Sequence, residues 1–189
     1  MAKQRIALLL TGIISFGFFS QIAFGQTFSL PAKGSIEVAF SPNEGSEDLV
    51  MKAINSSKKE ILMLAYSFTS APVTKSLINA QKRGVQVHLV ADYKSNIEED
   101  RSGRARAALS ALSNAGADVR TISIYPVAHD KTIIIDRNSV ETGSYNYSAA
   151  AASKNSENVL VNWDNPDLAG IYIKHFERNY SQSKVFQPS

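Results

Sequence analysis

Four side chains close together in the sequence hold the reactive chemistry of this chain: His129, Lys131, Ser144 and Asn146. An imidazole supplies a nucleophilic nitrogen, a lysine supplies positive charge, and a hydroxyl with a carboxamide supplies donors suited to phosphate oxygens. That combination favours phosphoryl transfer, with the cation stabilising charge on the reacting group. A bare imidazole attacks phosphorus directly when a second group protonates the departing oxygen, and a covalent intermediate then divides the displacement into two steps. One chain carries one such histidine. The economical arrangement is a two-fold dimer with its axis through the cleft, each subunit contributing His129, Lys131 and Asn146.

Two strands must position these groups. Side chains of an extended chain alternate between faces, so His129 and Lys131 point the same way with Ile133 and Ile135 behind them, while Asp136 points away. The apolar run from Ile133 to Ile135 predicts a buried strand with a polar mouth, and Arg137-Asn138 predicts the turn that ends it. Ser139 to Thr142 then returns to the same end and delivers Gly143-Ser144-Tyr145-Asn146 beside the imidazole.

The spacing H-x-K-x4-D-x6-G-S-x-N closely resembles the signature of the phospholipase D superfamily. Within it the chain is similar to the small secreted bacterial endonucleases with one motif per chain, a group often found with conjugative plasmids. The likeness covers most of the chain after residue 30, through Tyr66-Ser67-Phe68-Thr69 and on to Ser156-Glu157-Asn158. It implies a phospholipase D-like fold and a homodimer in which one His129 becomes phosphohistidine. Its symmetry mate then serves as acid, and afterwards as base for the incoming water. The acid matching Glu157 in that family hydrogen-bonds the other imidazole nitrogen, fixing the tautomer; whose histidine it orients is open. Asp136, on the far strand face, is expected to hold structure by hydrogen bonding rather than to react, and Gly143 to form the turn.

The rest of the chain reads as an α/β protein. Strands are expected from Ser35 to Phe40, Glu60 to Tyr66, Val85 to Ala91, Val119 to Ile124 and Glu157 to Trp163. Helices are expected over Glu47 to Ser56, Pro72 to Lys82, Ser102 (as cap) to Ala115, Asn146 to Ala152 and Pro166 to Tyr180. Strand, helix and strand in immediate succession predict right-handed crossovers, hence a mixed, largely parallel central sheet with helices on both faces. Residues 92–102 are polar and irregular, and Gln182 to Ser189 reads as a loosely held tail.

Residues 1–25 read as an export signal: Lys3 and Arg5 begin it, Ile6 to Phe19 is mostly apolar, and Ala23-Phe24-Gly25 offers a cleavage site. A retained anchor is the rival, against which stand the polar residues interrupting a short apolar run. Cleavage leaves a lead-in over 26–34 and one catalytic domain over 35–181. The mature protein is then periplasmic or secreted, without stable membrane association. Losing Lys3 and Arg5 lowers the basic count from 20 to 18 against 17 acids, so net charge gives no argument for nucleic acid. The absence of cysteine excludes thiol catalysis and thiolate zinc. His88 and His175 read as structural. No histidine–carboxylate spacing suits a metal, so catalysis without metal or cofactor is expected.

Substrate is less constrained. Lys94, Arg101, Arg104 and Arg106 surround the start of one helix and would follow a phosphate backbone if that end borders the cleft; a solvated face offset by Glu98-Glu99-Asp100 is the alternative. No mature segment reads as an apolar docking surface for lipid. A dimeric endonuclease cleaving DNA, with RNA as a further substrate, is therefore expected. The alternatives are a phospholipase D acting on phosphatidyl lipids and an inert nucleic-acid-binding accessory of DNA transfer.

Overall fold

The computed structural model describes residues 27–188, and the expected export signal over 1–25 lies outside them. Eight strands form one sheet: β1 (Ser35–Ser41), β2 (Glu60–Ala65), β3 (Gln86–Asp92), β4 (Asp118–Ile122), β5 (Lys131–Ile135), β6 (Ser139–Gly143), β7 (Glu157–Trp163) and β8 (Lys184–Val185). Their spatial order is β1-β7-β6-β5-β2-β3-β4-β8. Helices α1 (Ser46–Ser56), α2 (Ala71–Lys82), α3 (Arg104–Asn114) and α4 (Ala149–Ser153) precede the final α5 (Pro166–Ser181).

Both faces of the central strands are covered, which is why β2 and β5 carry almost unbroken apolar runs. Ile61, Met63, Ile133 and Ile135 pack on one side with Leu49, Ile54, Leu77 and Leu109 from the first three helices. Leu62, Leu64, Ile134 and Val140 pack on the other with Ile173 and Phe176 of α5. Local chemistry starts the helices: Ser70 accepts from Val73 N at 3.2 Å with Pro72 in the first turn, and Asn165 accepts from Leu168 N at 3.2 Å before Pro166.

The mixed sheet flanked on both faces matches the expected class, but its parallel part is smaller than the element order suggested. Only β2–β3 and β3–β4 run parallel; β1–β7, β7–β6, β6–β5, β5–β2 and β4–β8 are antiparallel. The crossover rule holds where α2 and α3 connect neighbours. It fails for β1, which leaves β2 to pair with β7, and the second half returns through the β5–β6 hairpin.

Three further readings are corrected. The tail is not loose: Lys184 and Val185 pair with β4, Phe186 N donates to Val119 O at 2.9 Å, and the Phe186 ring is buried. Residues 94–98 form a π-helical turn that buries Asn96. Gly103, with φ 69°, caps α3 in place of Ser102, while the Asp100 carboxylate takes the Ala105 N–H at 2.7 Å.

An apolar surface also exists where none was expected. Glu37 and Ala39 of β1 turn toward α1, so Ile36, Val38 and Phe40 face the opposite side, 60, 51 and 50% exposed. The main contacts of α5 are with β2, β4, β5 and β6, short of this edge. No helix among the described residues is long and apolar enough to cross a membrane.

Candidate active site

The carboxyl ends of β2, β3 and β6 and the amino ends of β5 and β7 meet at one edge of the sheet, the place where open α/β sheets offer a crevice. His129 stands there exposed, two residues before β5 begins. Its ring packs on Tyr66 with centroids 4.6 Å apart at 57°. Lys131 is 6% exposed; its Nζ donates to the His129 carbonyl at 3.0 Å and lies 5.2 Å from the same Tyr66 ring. One aromatic wall therefore holds both groups. Burial pulls the Lys131 amine below the usual lysine range, while the charges of Glu157 and Asp130 oppose that pull.

Tyr66 is fixed from below by a residue the sequence reading missed. Asn96 donates to the Tyr66 carbonyl at 2.6 Å and the Asp92 carbonyl at 2.7 Å, and accepts from Phe68 N at 2.9 Å. Asp92, 2% exposed at the end of β3, accepts from Ser95 N at 2.6 Å and from Ala128 N at 2.9 Å. The segment carrying His129 is thus tied to β3 one residue upstream. The available signal was an acid ending an apolar strand with an asparagine four positions on.

Gly143 needs to be glycine because a Cβ would lie 2.2 Å from the Asn158 carbonyl oxygen. That close approach brings β6 and β7 together so that Ser144 Oγ donates to Glu157 Oε2 at 2.6 Å and accepts from Asn158 N at 3.1 Å. Asn155 Nδ2 holds the other Glu157 oxygen at 3.0 Å. Among the described residues no hydrogen bond joins Glu157 to His129 of the same chain. Among the described residues, Asn146 Oδ1 is buried with no hydrogen-bond partner.

Beneath this layer Tyr147 accepts the Thr69 and Ser70 N–H groups on its carbonyl at 2.8 Å, and its hydroxyl donates to the fully buried Glu141 at 2.9 Å. Burial pushes the Glu141 carboxyl up to about 8, outweighing that hydrogen bond.

Asp136 lies at the far end of β5, where its carboxylate accepts from Lys58, Lys59 and Glu60 N at 2.8, 2.7 and 2.9 Å. Burial raises its pKa, but these three donors outweigh burial and hold it below the ordinary value. The cationic candidates diverge. Lys94 pairs with Glu99 at 3.4 Å, Arg101 is exposed, Arg104 lines a cleft between α2 and α3, and Arg106 lines a separate one with Lys184 and Phe186. Among the described residues no group of three or more histidines and acids is placed to hold a metal ion.

Residues 50–180 match the family described as "Cardiolipin synthase, PLD-like domain". The chain is 36% identical over 144 residues to a phospholipase D of Rickettsia felis, covering 76% of this chain and 68% of that protein. It is 23% identical over 152 residues to the mitochondrial cardiolipin hydrolase of Mus musculus, covering 80% of this chain and 66% of that protein. The fold superposes on the phospholipase D family member Nuc from Salmonella typhimurium with a TM-score of 0.77 at 40% identity, covering 81% of this chain and 98% of the other.

Proposed function

From the premise that this chain belongs to the phospholipase D superfamily and is a phosphodiesterase, we propose that it is a secreted, homodimeric endonuclease hydrolysing DNA, and RNA with it, through phosphohistidine. The observation that carries this reading is a single exposed imidazole set beside a buried lysine amine, on a common aromatic wall. Nearly full coverage of the similarly small Nuc supports the nuclease over a lipase.

In the first step an unprotonated ring nitrogen of His129 attacks phosphorus and forms a P–N bond, while the P–O bond to the leaving nucleoside oxygen breaks. The partner subunit's His129 gives that oxygen its proton. It then takes a proton from water as the water oxygen attacks phosphorus and the P–N bond breaks, which restores both rings. Lys131 and Asn146 from both chains face the non-bridging oxygens, where Lys131 stabilises charge that grows in the transition state. Ser144 holds Glu157 in place at the same edge.

Incubating the protein lacking residues 1–25 with plasmid in the presence of chelator is expected to nick and linearise the DNA. His129→Asn should lower that rate by at least ~10³-fold while circular dichroism and melting stay unchanged. Full activity in the variant, or plasmid left intact while labelled phosphatidylcholine is hydrolysed, overturns the assignment. The exposed Ile36, Val38 and Phe40, with relatives named phospholipase D and cardiolipin hydrolase, favour the second reading, a diesterase of phosphatidyl lipids.

A further inference from the structure

Asp130 follows the nucleophile directly and turns toward α5, where its Oδ1 lies 3.1 Å from His175 Nε2. On the far side of that ring, Arg178 Nη2 donates to Nδ1 at 2.8 Å. Helical spacing places Ile171, Lys174, His175 and Arg178 on one stripe of α5. A groove of about 580 Å³ opens between this stripe, Asp130, Tyr172 and the ring of Phe28, itself 52% exposed. Arg178 meets an imidazole nitrogen instead of a carboxylate, and among the described residues neither it nor Lys174 enters an ion pair. Two uncompensated cations and an open aromatic ring thus border a channel that begins one residue from His129.

We infer that this groove binds a single strand of nucleic acid on one side of the scissile phosphate, an inference that rests on the nuclease reading. Lys174 and Arg178 take backbone phosphates, and Phe28 and Tyr172 offer faces on which unpaired bases stack, the pairing of charge and ring that single-strand grooves use. A duplex would hide its base faces from those rings. Asp130 gives the groove a floor of opposite charge that steers phosphates toward its rim. The Arg178 Nη2 contact with His175 Nδ1 sets where the guanidinium stands.

The test is fluorescence anisotropy of a labelled 20-nucleotide oligothymidylate titrated with His129→Asn protein at several salt concentrations. Adding Lys174→Ala and Arg178→Ala should weaken binding at least ~10-fold. It should also flatten the salt dependence by about 1.4 in log–log slope, since each single-strand phosphate contact contributes about 0.7. Phe28→Ala should weaken binding several-fold at unchanged slope. Lys58→Ala with Lys82→Ala removes the same charge at the opposite end of the sheet and should keep affinity within about two-fold. Unchanged affinity and slope in the Lys174/Arg178 protein, or an equal loss in the Lys58/Lys82 protein, overturns the groove and leaves the nuclease reading standing. If the parent His129→Asn protein fails to bind the oligonucleotide, whether or not it binds vesicles of anionic phospholipid, the nuclease reading falls and the groove with it.

Discussion

Glu141 shows how one side chain under the site writes itself into the pH dependence of the whole. It is fully buried on β6, opposite Ile133, and receives the Tyr147 hydroxyl while Tyr147 holds the loop that carries Tyr66 to Ser70. An ordinary carboxyl ionises near 4.5, and burial moves this one to about 8. Between those values the unfolded chain has shed the proton and the folded chain keeps it. The stability contributed by Glu141 is therefore complete below 4.5, drains away as pH rises, and levels off above about 8. Glu141→Gln should flatten that part of the stability curve. Thermal melts of both proteins across the window check it, with the gap between them expected to shift in the variant's favour toward the alkaline end. Lys131 acts on the other side of neutrality: because burial lowers its pKa, the alkaline loss of activity should begin below the ordinary lysine value of 10.5. A pH–rate profile taken with saturating plasmid reads that limb.

Strands and turns bring these side chains together, and what was legible in the sequence follows from how locally each is encoded. β7 has its expected bounds from Glu157 to Trp163, and the β5–β6 hairpin delivers Ser144 to the edge where His129 stands. Both are encoded by short patterns, an apolar run and a turn. The π-helical turn was illegible because its reason lies elsewhere in the fold: Asn96 is buried by what it binds, the backbone of Tyr66, Phe68 and Asp92. β8 was missed because two residues carry no periodicity and pair only when β4 is present. The outward-facing apolar row of β1 inverted the usual inference from alternation, which names the two faces of a strand without saying which is covered. Asn96→Ala removes three hydrogen bonds, two of them buried, and should cost ~3 kcal/mol in denaturant unfolding. Because Tyr66 is the wall for His129 and Lys131, kcat should fall as well, by ~10-fold or more. A melt lowered with kcat unchanged would show Tyr66 to be held by other contacts.

For the assembled molecule the decisive quantity is how many functional copies a site needs. Mixing wild-type and His129→Asn chains in equal amounts, with exchange between subunits, leaves about a quarter of the dimers with two intact histidines. Activity should fall to that fraction, whereas chains acting alone would retain about half. Sedimentation at the assay concentration, run beside the mixing series, identifies the active species. A further consequence comes from the ladder that binds Ser35 to Trp163 and Ser41 to Glu157. The ribosome makes β1 well before its mate β7, so this rim of the sheet stays open until β7 emerges. Such distant pairing slows folding. For the secretion proposed here, that delay keeps the chain threadable, since a translocation pore passes only what has not yet closed.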